Sequence, residues 1–309
     1  MRDRFDQIQA EIQRVQANAQ FDRPRRERAL RSLEKLDLSG RRTVCLYYSG
    51  RHKSLTQYDV PPFYSMLKSV DPIADLDLVV VSPGGDGTAA ESLLDLCRKY
   101  CRGVLRVVVP LYAKSAATLL ALGADEIVMG ETSELGPIDA QVMIVQDNAE
   151  QQVSAEHFLR ARDEALKLLA SQQPEEVQAG QIQLALLSPA FLQQCTDLMN
   201  FARDFARKQL RAHMFASEYA ANPVACDERI DKIVNNLTAS SKHLLHGRMI
   251  TAGDIKGNPD LRELKVNELA GSDPYWSGVT ELLLRTEIVM GANGIGKCLF
   301  ARKFQLLSQ

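Results

Sequence analysis

The sequence lacks the patterns that mark metal-binding and disulfide-rich proteins. Its six cysteines include no CxxC pair. Cys97 and Cys101 lie one helical turn apart, but no histidine or second cysteine pair accompanies them as a zinc site would require. We interpret all six as thiols of the protein core in a reducing compartment, and we expect neither a metal nor another cofactor.

Long apolar runs and an excess of one charge are also absent. No stretch of about 18 apolar residues occurs, and the first residues contain no apolar core of a secretion signal, so we expect a cytoplasmic protein without a membrane span. The formal net charge is −2. This balance gives no reason to expect nucleic acid or an anionic membrane surface as a partner.

What the chain does contain is an alternation of strand and helix patterns. We predict strands at 43–49, 76–82, 104–110 and 126–130, with helices around 62–70 and 88–101 and from 116 onward. Strands separated by single helices are typical of parallel βαβ units, so the fold class is α/β. Beyond residue 145 the strand pattern fades, and several helices separated by prolines are predicted, with one or two strands at the end.

These patterns divide the chain into four parts. Residues 1–40 form a helical arm, 41–145 the core, 146–271 a helical region and 272–309 a C-terminal segment. Phe5, Ile8, Ile12 and Val15 form a helical stripe in the arm. The stripe fits an arm for oligomerisation and a helix docked on its own domain equally well.

A single serine stands where the third strand gives way to an apolar helix. Ser115 precedes Ala116, the first residue of that helix. Its hydroxyl can cap the helix by accepting a backbone N–H, or it can be a nucleophile beside unpaired N–H groups that favour negative charge. This stretch alone leaves both interpretations open.

A glycine pair after the second strand bears on that choice. Gly84 and Gly85 lie between a strand and a helix, without the GxGxxG or GK[ST] spacing of a nucleotide loop. Parallel packing brings this turn and Ser115 to the carboxyl ends of neighbouring strands, across one cleft. The N–H groups of Gly85 and Ala116 can then form an oxyanion hole, which favours the nucleophile.

Four ordered motifs resemble one protein family. They are "SPGGDGTAAE" (82–91), "AKSAATLLALGADEIVMG" (113–130), "SELGPIDAQ" (133–141) and "HGRMIT" (246–251). Together they resemble the serine dehydrogenase proteinases of the Clp protease and crotonase superfamily, which are related to signal peptide peptidase A. The resemblance implies a crotonase-like spiral of ββα units with a helical C-terminal region, serine peptidase activity and assembly into homo-oligomers.

The resemblance also assigns roles to residues. Ser115 matches the nucleophile, and Gly84 and Gly85 match the oxyanion turn. His246 and Asp139 stand where Clp proteases carry their other two triad members, with the residue types exchanged, so we expect His246 as the base and Asp139 to orient it. The signal peptide peptidases use lysine instead.

Two lysines are therefore the fallback bases. Lys167 lies on a predicted helix beyond the cleft, and Lys114 is next to the nucleophile in the sequence. Lys114 and Ala140 depart from the family pattern, in which a small or apolar residue and a proline are expected. Neither departure removes a reacting group, but Lys114 puts a charge beside the cleft.

The sequence thus predicts a serine peptidase that hydrolyses peptide or unfolded protein substrates through an acyl-enzyme on Ser115. We expect it to be an endopeptidase. One alternative is a non-catalytic oligomeric scaffold of the same fold, in which Ser115 only caps its helix. The other is a crotonase-type enzyme that binds an acyl-CoA thioester at two similar N–H groups.

Overall fold

A seven-stranded sheet forms the centre of the computed structural model, which describes residues 7, 10, 19–36, 40–49, 53–70, 72–146, 149–238 and 248–308. The sheet has the strand order β11-β10-β1-β2-β3-β5-β9. Its strands are β1 (Arg42–Tyr48), β2 (Leu76–Val81), β3 (Leu105–Val109), β5 (Glu126–Gly130), β9 (Val266–Leu269), β10 (Lys297–Ala301) and β11 (Phe304–Ser308). The five strands from β1 to β9 are parallel, whereas β10 and β11 add antiparallel strands at one edge.

Helices occupy much of the remaining described chain. They are α1 (Ala19–Lys35), α2 (Val60–Val70), α3 (Gly87–Tyr100), α4 (Ala116–Leu122), α5 (Ala155–Leu169), α6 (Pro174–Ala185), α7 (Pro189–Ala212), α8 (Ala216–Ala221), α9 (Pro223–Thr238), α10 (Ala252–Gly257) and α11 (Pro274–Asn293). None of the helices within the described ranges is both long and apolar enough to cross a membrane.

Both faces of the sheet are covered, which explains its continuous apolar strands. All six residues of β2 are buried, as expected for a parallel strand between two layers of helices. One apolar cluster joins the sheet to α2, α3 and α4, and a second joins the opposite face to α1 and α11. The core therefore lies in two layers on either side of the sheet.

The predicted α/β class and the parallel order are confirmed. Strand β5 has the predicted bounds. The other predicted strands and helices of the core begin and end within two residues of their predicted bounds. The chain end supplies two strands. The expectation that strands fade after residue 145 is wrong in part, because β7 (Gln141–Gln146) and β8 (Ala149–Ser154) form a hairpin and β9 joins the sheet edge.

A short second sheet crosses the carboxyl ends of the main strands. β4 (Tyr112–Ala113) pairs in parallel with β6 (Glu134–Leu135). Single bridges extend the row, from Ser82 to Ala113 on one side and from Leu135 to Ile250 on the other. This row brings the ends of β2 and β3 together with the loop that follows β5.

Candidate active site

A cavity of about 900 Å³ opens where the carboxyl ends of β2 and β3 meet the short second sheet. Ser115 lies in its wall together with the glycine turn after β2, the loop before β7 and one face of α7. The turn and the serine were expected to face each other across one cleft. They do so here, at the sheet edge where parallel α/β proteins form their sites.

Ser115 has a backbone conformation that is rare for a residue with a side chain. Its φ is 51° and its ψ is −117°, and no other non-glycine residue of the described chain has a positive φ. Although it immediately precedes α4, its side chain accepts no hydrogen bond from the helix. The capping interpretation is therefore wrong, and Ser115, which is half-buried, lines the cavity.

The glycine turn approaches Ser115 so closely that side chains do not fit. Gly84 has φ of 102°, and a Cβ atom built on it would lie 2.5 Å from the Lys114 carbonyl oxygen and 2.8 Å from the Ser115 Cβ. Gly85 has φ of 140°, and its Cβ would lie 2.4 Å from the Leu55 carbonyl oxygen. Only glycine combines these φ values with such close backbone contacts.

Two backbone N–H groups at this point have no backbone acceptor in the part of the chain that the structure describes. Within the described residues, neither the Gly85 N–H nor the Ala116 N–H donates to a backbone carbonyl, and both residues line the cavity. Ala116 is the first residue of α4, where the aligned peptide dipoles favour negative charge. Two such donors beside a serine hydroxyl are the elements of an oxyanion hole.

Hydrogen bonds fix the glycine turn to the segment that carries Ser115. Ser82 Oγ accepts from the Gly84 N–H at 3.1 Å, and the Ser82 carbonyl accepts from the Lys114 N–H at 3.0 Å. On the other side, Thr118 Oγ1 lies 2.8 Å from the Ala113 carbonyl oxygen. The glycine turn and the segment that carries Ser115 are therefore fixed by hydrogen bonds before any substrate binds.

Asp139 lies in the same cavity wall as Ser115. It is 2% exposed, and its Oδ2 accepts from Gln141 Nε2 at 2.9 Å. His246, the predicted base, lies outside the described residues. The structure thus brings together Ser115, Asp139 and the backbone groups of Gly85 and Ala116, and does not report on the histidine.

The two fallback bases lie elsewhere. Lys114 Nζ forms an ion pair with a Glu134 carboxylate oxygen at 3.1 Å, and the residue is not part of the cavity lining. Lys167 is 76% exposed in its side chain on α5, where it lies 3.7 Å from Glu164. The Lys114 amine is thus paired with an acidic side chain, and the Lys167 amine lies on an exposed part of α5.

Residues 55–172 match the family model of the ClpP-like SDH-type serine proteinases. This part of the chain is similar to that family. The match contains three of the four motifs and includes Ser115, both glycines and Asp139, so the predicted resemblance is confirmed. The helical segments after residue 172, among them α7 with its cavity-lining face, lie outside the matched region.

Two curated relatives of this chain come from Methanocaldococcus jannaschii. The uncharacterized protein MJ0137 is 34% identical over 91 residues, which are 29% of this chain and 32% of that protein. The uncharacterized protein MJ1495 is 39% identical over 67 residues, which are 22% of this chain and 23% of that protein. The chain thus spans at most about a third of the relatives that it matches.

Solved protease structures show a loose likeness. A variant of the 1510-N membrane-bound stomatin-specific protease superposes with a TM-score of 0.40 at 12% identity, over 75% of this chain and 79% of that one. A variant of ClpP1 from Listeria monocytogenes superposes with a TM-score of 0.37 at 13% identity, over 76% of this chain and 94% of that one.

The sequence pattern did not predict that α7 forms part of the cavity wall. Helix α7 contributes Gln193, Gln194, Asp197, Leu198 and Phe201 to the lining. Periodicity predicts a helix in this part of the chain, but it does not predict which distant loop the helix will cover. The lining residues of α7 recur every three or four positions in the sequence. This spacing is equally typical of a surface helix that lines no cavity, so it could not identify the site.

The cysteines behave as core residues. All six are free thiols, and five of them are buried. Burial raises the pKa of Cys97, and the thiol of Cys101 is shifted in the same direction by partial burial. Thiols held in the protonated form are poor nucleophiles. The described residues also contain no group of three potential metal ligands.

Proposed function

We propose that this protein is a serine peptidase that cleaves peptide bonds through an acyl-enzyme on Ser115. The observation that carries the proposal is the meeting, in one cavity, of a strained uncapped serine with the two free N–H groups of Gly85 and Ala116. The hydroxyl oxygen attacks the substrate carbonyl, and the two N–H groups stabilise the oxyanion that develops. Water then hydrolyses the ester and frees the serine.

The proton of Ser115 requires an acceptor, and two backbone contacts support His246 in that role. Before the segment 239–247, the Leu237 carbonyl accepts from the Ile138 N–H at 2.9 Å. After it, Ile250 and Leu135 exchange two hydrogen bonds of 2.9 and 3.0 Å. Both contacts involve residues within four positions of Asp139, so the described chain on each side of the segment bonds to the stretch that carries this carboxylate.

His246 is four residues before Ile250, and four extended residues span at most about 14 Å. In the proposed triad, the imidazole takes the Ser115 proton as general base and returns it to the leaving amine, while Asp139 fixes the ring orientation. Since Asp139 is almost fully buried, its charge favours the imidazolium more strongly than an exposed carboxylate would.

The family match supports peptides or unfolded proteins as substrates and a homo-oligomeric assembly, both of which we include in the proposal. Endopeptidase cleavage is the expected mode. The acyl-CoA and scaffold alternatives need neither the strained Ser115 conformation nor a proton acceptor beside it.

Labelling with a fluorophosphonate tests the proposal, because only an activated serine displaces the fluoride. Intact-mass analysis of the full chain should show one adduct, which Ser115→Ala abolishes. His246→Ala and Asp139→Asn should slow labelling by roughly 10²-fold or more, the range of general base catalysis. Lys167→Ala should label at the wild-type rate.

Matched controls decide between the outcomes. Ser92 is a half-buried serine of α3 whose hydroxyl bonds to the Thr88 carbonyl, and it does not line the cavity, so Ser92→Ala should leave labelling unchanged. Absence of any adduct on folded protein contradicts the peptidase proposal. An adduct that persists in Ser115→Ala assigns the reactive group to another residue, and an unchanged rate in His246→Ala removes the histidine from the mechanism.

A further inference from the structure

The charges that line the cavity all have the same sign. Asp86, Asp139 and Asp197 contribute carboxylates, and no lysine, arginine or histidine of the described chain is in the lining. Asp139 is buried and belongs to the proposed triad. Asp86 and Asp197 are exposed to the cavity, and neither forms an ion pair with a described residue. Two uncompensated carboxylates therefore remain for a ligand to meet.

Both carboxylates are held in place by hydrogen bonds that leave an oxygen unused. Asp86 caps α3, with Oδ1 accepting from the Thr88 N–H at 2.8 Å. On α7, Asp197 Oδ1 accepts from Gln193 Nε2 at 2.8 Å. In each case the remaining carboxylate oxygen has no partner among the described residues. Fixed acceptors of this kind bind a cation with little further loss of side-chain entropy.

An aromatic contact brings the two carboxylates to the same end of the cavity. Phe201 lies one turn after Asp197 on the lining face of α7. Its ring packs on Gly87, where a Cβ atom would lie 2.7 Å from the ring carbon Cε1. Gly87 adjoins Asp86, so the first turn of α3 and the middle of α7 meet here. The ring offers an apolar and π-rich surface that contacts the residue after Asp86 and lies one helical turn from Asp197.

This end of the cavity is also next to the reacting atoms. Asp86 follows Gly85, whose N–H is an oxyanion donor in the proposed mechanism, and consecutive Cα atoms are about 3.8 Å apart. A side chain that extends from the attacked residue toward α7 would therefore pass Phe201 before its end reaches the carboxylates. A long side chain with a cationic end can pack its apolar stem on the Phe201 ring and place its charge beside the carboxylates.

We propose that Asp86, Asp197 and Phe201 form a subsite for a lysine or arginine side chain on the residue whose carbonyl Ser115 attacks. This inference rests on the peptidase function proposed above and names its substrate class. The aliphatic stem packs on the Phe201 ring, and the ammonium or guanidinium group lies between the carboxylates of Asp86 and Asp197. Substrates with an acidic residue at this position are repelled.

Two peptidyl diphenyl phosphonates test the subsite, because Ser115 Oγ attacks phosphorus and phenol leaves. One probe carries lysine at the reacting position and the other norleucine, which has a similar stem without the charge. We expect the lysine probe to label faster by roughly tenfold, a difference of about 1.4 kcal/mol. The preference should shrink as ionic strength rises, since salt screens partly exposed charges.

Charge-removing variants assign the preference to residues. Asp197→Asn should reduce the ratio of the two rates by roughly three- to tenfold, as should Asp86→Asn, in which asparagine still caps α3. The matched control is Asp204→Asn, which removes the same charge two turns further along α7, outside the cavity lining and with its side chain 77% exposed. It should leave the ratio unchanged.

The outcomes separate this inference from the proposed function. If a small fluorophosphonate labels Ser115 but the lysine and norleucine probes react equally, the subsite is refuted and the peptidase function stands. The same conclusion follows if Asp204→Asn alters the ratio as much as Asp197→Asn does. If no phosphonate or fluorophosphonate labels Ser115, both the function and the subsite are refuted. A preference lost in Asp197→Asn and retained in Asp204→Asn supports the subsite.

Discussion

At the scale of single residues, the unusual feature is the strain at Ser115. A non-glycine residue in such a conformation costs on the order of 1–3 kcal/mol and persists only where its surroundings enforce it. Here the Ser82 carbonyl fixes the Lys114 N–H before the serine, and the Ser115 carbonyl accepts the Leu119 N–H of α4 after it. In this conformation the Ser115 side chain does not cap α4, and Ser115 shares the cavity lining with Gly85 and Ala116.

Gly84 is where this arrangement is most easily disrupted. In Gly84→Ala, the new methyl group would overlap the Lys114 carbonyl oxygen and the Ser115 Cβ, at a φ that alanine avoids. We expect a loss of about 1–3 kcal/mol in the free energy of unfolding and a fall in fluorophosphonate labelling of at least tenfold. Urea denaturation and intact-mass kinetics measure the two effects.

A second glycine substitution serves as the control. Gly291 lies within α11 with open space around its Cα hydrogen, so Gly291→Ala should leave labelling unchanged and stabilise the protein by up to about 1 kcal/mol. Equal labelling by wild type and folded Gly84→Ala would contradict the claim that this glycine sets the nucleophile turn.

At the scale of elements, helix α4 connects the nucleophile to the loop that carries Asp139. All seven of its residues are buried, and Thr118 is its single polar side chain. The Thr118 hydroxyl lies 2.8 Å from the Ala113 carbonyl oxygen and 3.0 Å from the Gly136 carbonyl oxygen, and it accepts from the Gly136 N–H at 3.2 Å. One side chain thus ties the strand before Ser115 to the loop before Asp139.

Thr118→Val should therefore affect both stability and reactivity. Valine keeps the shape but leaves buried polar groups of Ala113 and Gly136 without their partner, which costs about 1–3 kcal/mol. We expect labelling to slow and Thr118→Ser to restore it. The control is Thr286→Val, because Thr286 is equally buried but bonds only to the Leu282 carbonyl of its own helix. If both valine variants lose the same stability and reactivity, Thr118 has no special positioning role.

The sequence predicted the core elements better than those around the site. Strand β5 and helix α4 were found because continuous apolar residues mark elements buried on both sides. The hairpin β7–β8 was missed since its second strand, "AEQQVS", has little β-propensity and is stabilised by pairing with β7. Ser115 and Gly85 were predicted from local turn chemistry, whereas the positions of Asp197 and Phe201 in the cavity lining depend on tertiary packing that periodicity does not encode.

At the scale of the whole molecule, a buried ion cluster joins parts of the chain that are distant in sequence. The Asp77 carboxylate on β2 is 1% exposed. It accepts from Arg41 at 3.1 Å, from Arg106 on β3 at 2.8 Å and from the Tyr275 hydroxyl on α11 at 2.6 Å. The cluster lies near the amino ends of the strands, so it connects the C-terminal helix to the sheet edge opposite the cavity.

Asp77→Asn should destabilise the fold without altering the chemistry of the site. Removing the carboxylate charge takes away the counter-ion of Arg106 and one of the carboxylates that pair with Arg41, which keeps its contact with Asp75. We expect the free energy of unfolding to fall by about 3 kcal/mol. Asp77 and the glycine turn lie at opposite ends of β2, about 20 Å apart along the strand, so the folded variant should label at the wild-type rate. The control, Asp163→Asn, breaks an exposed pair with Arg162 and should have no measurable effect on either quantity. A labelling rate that falls in Asp77→Asn under conditions where circular dichroism reports full folding would mean that this cluster and the active site are coupled through the sheet.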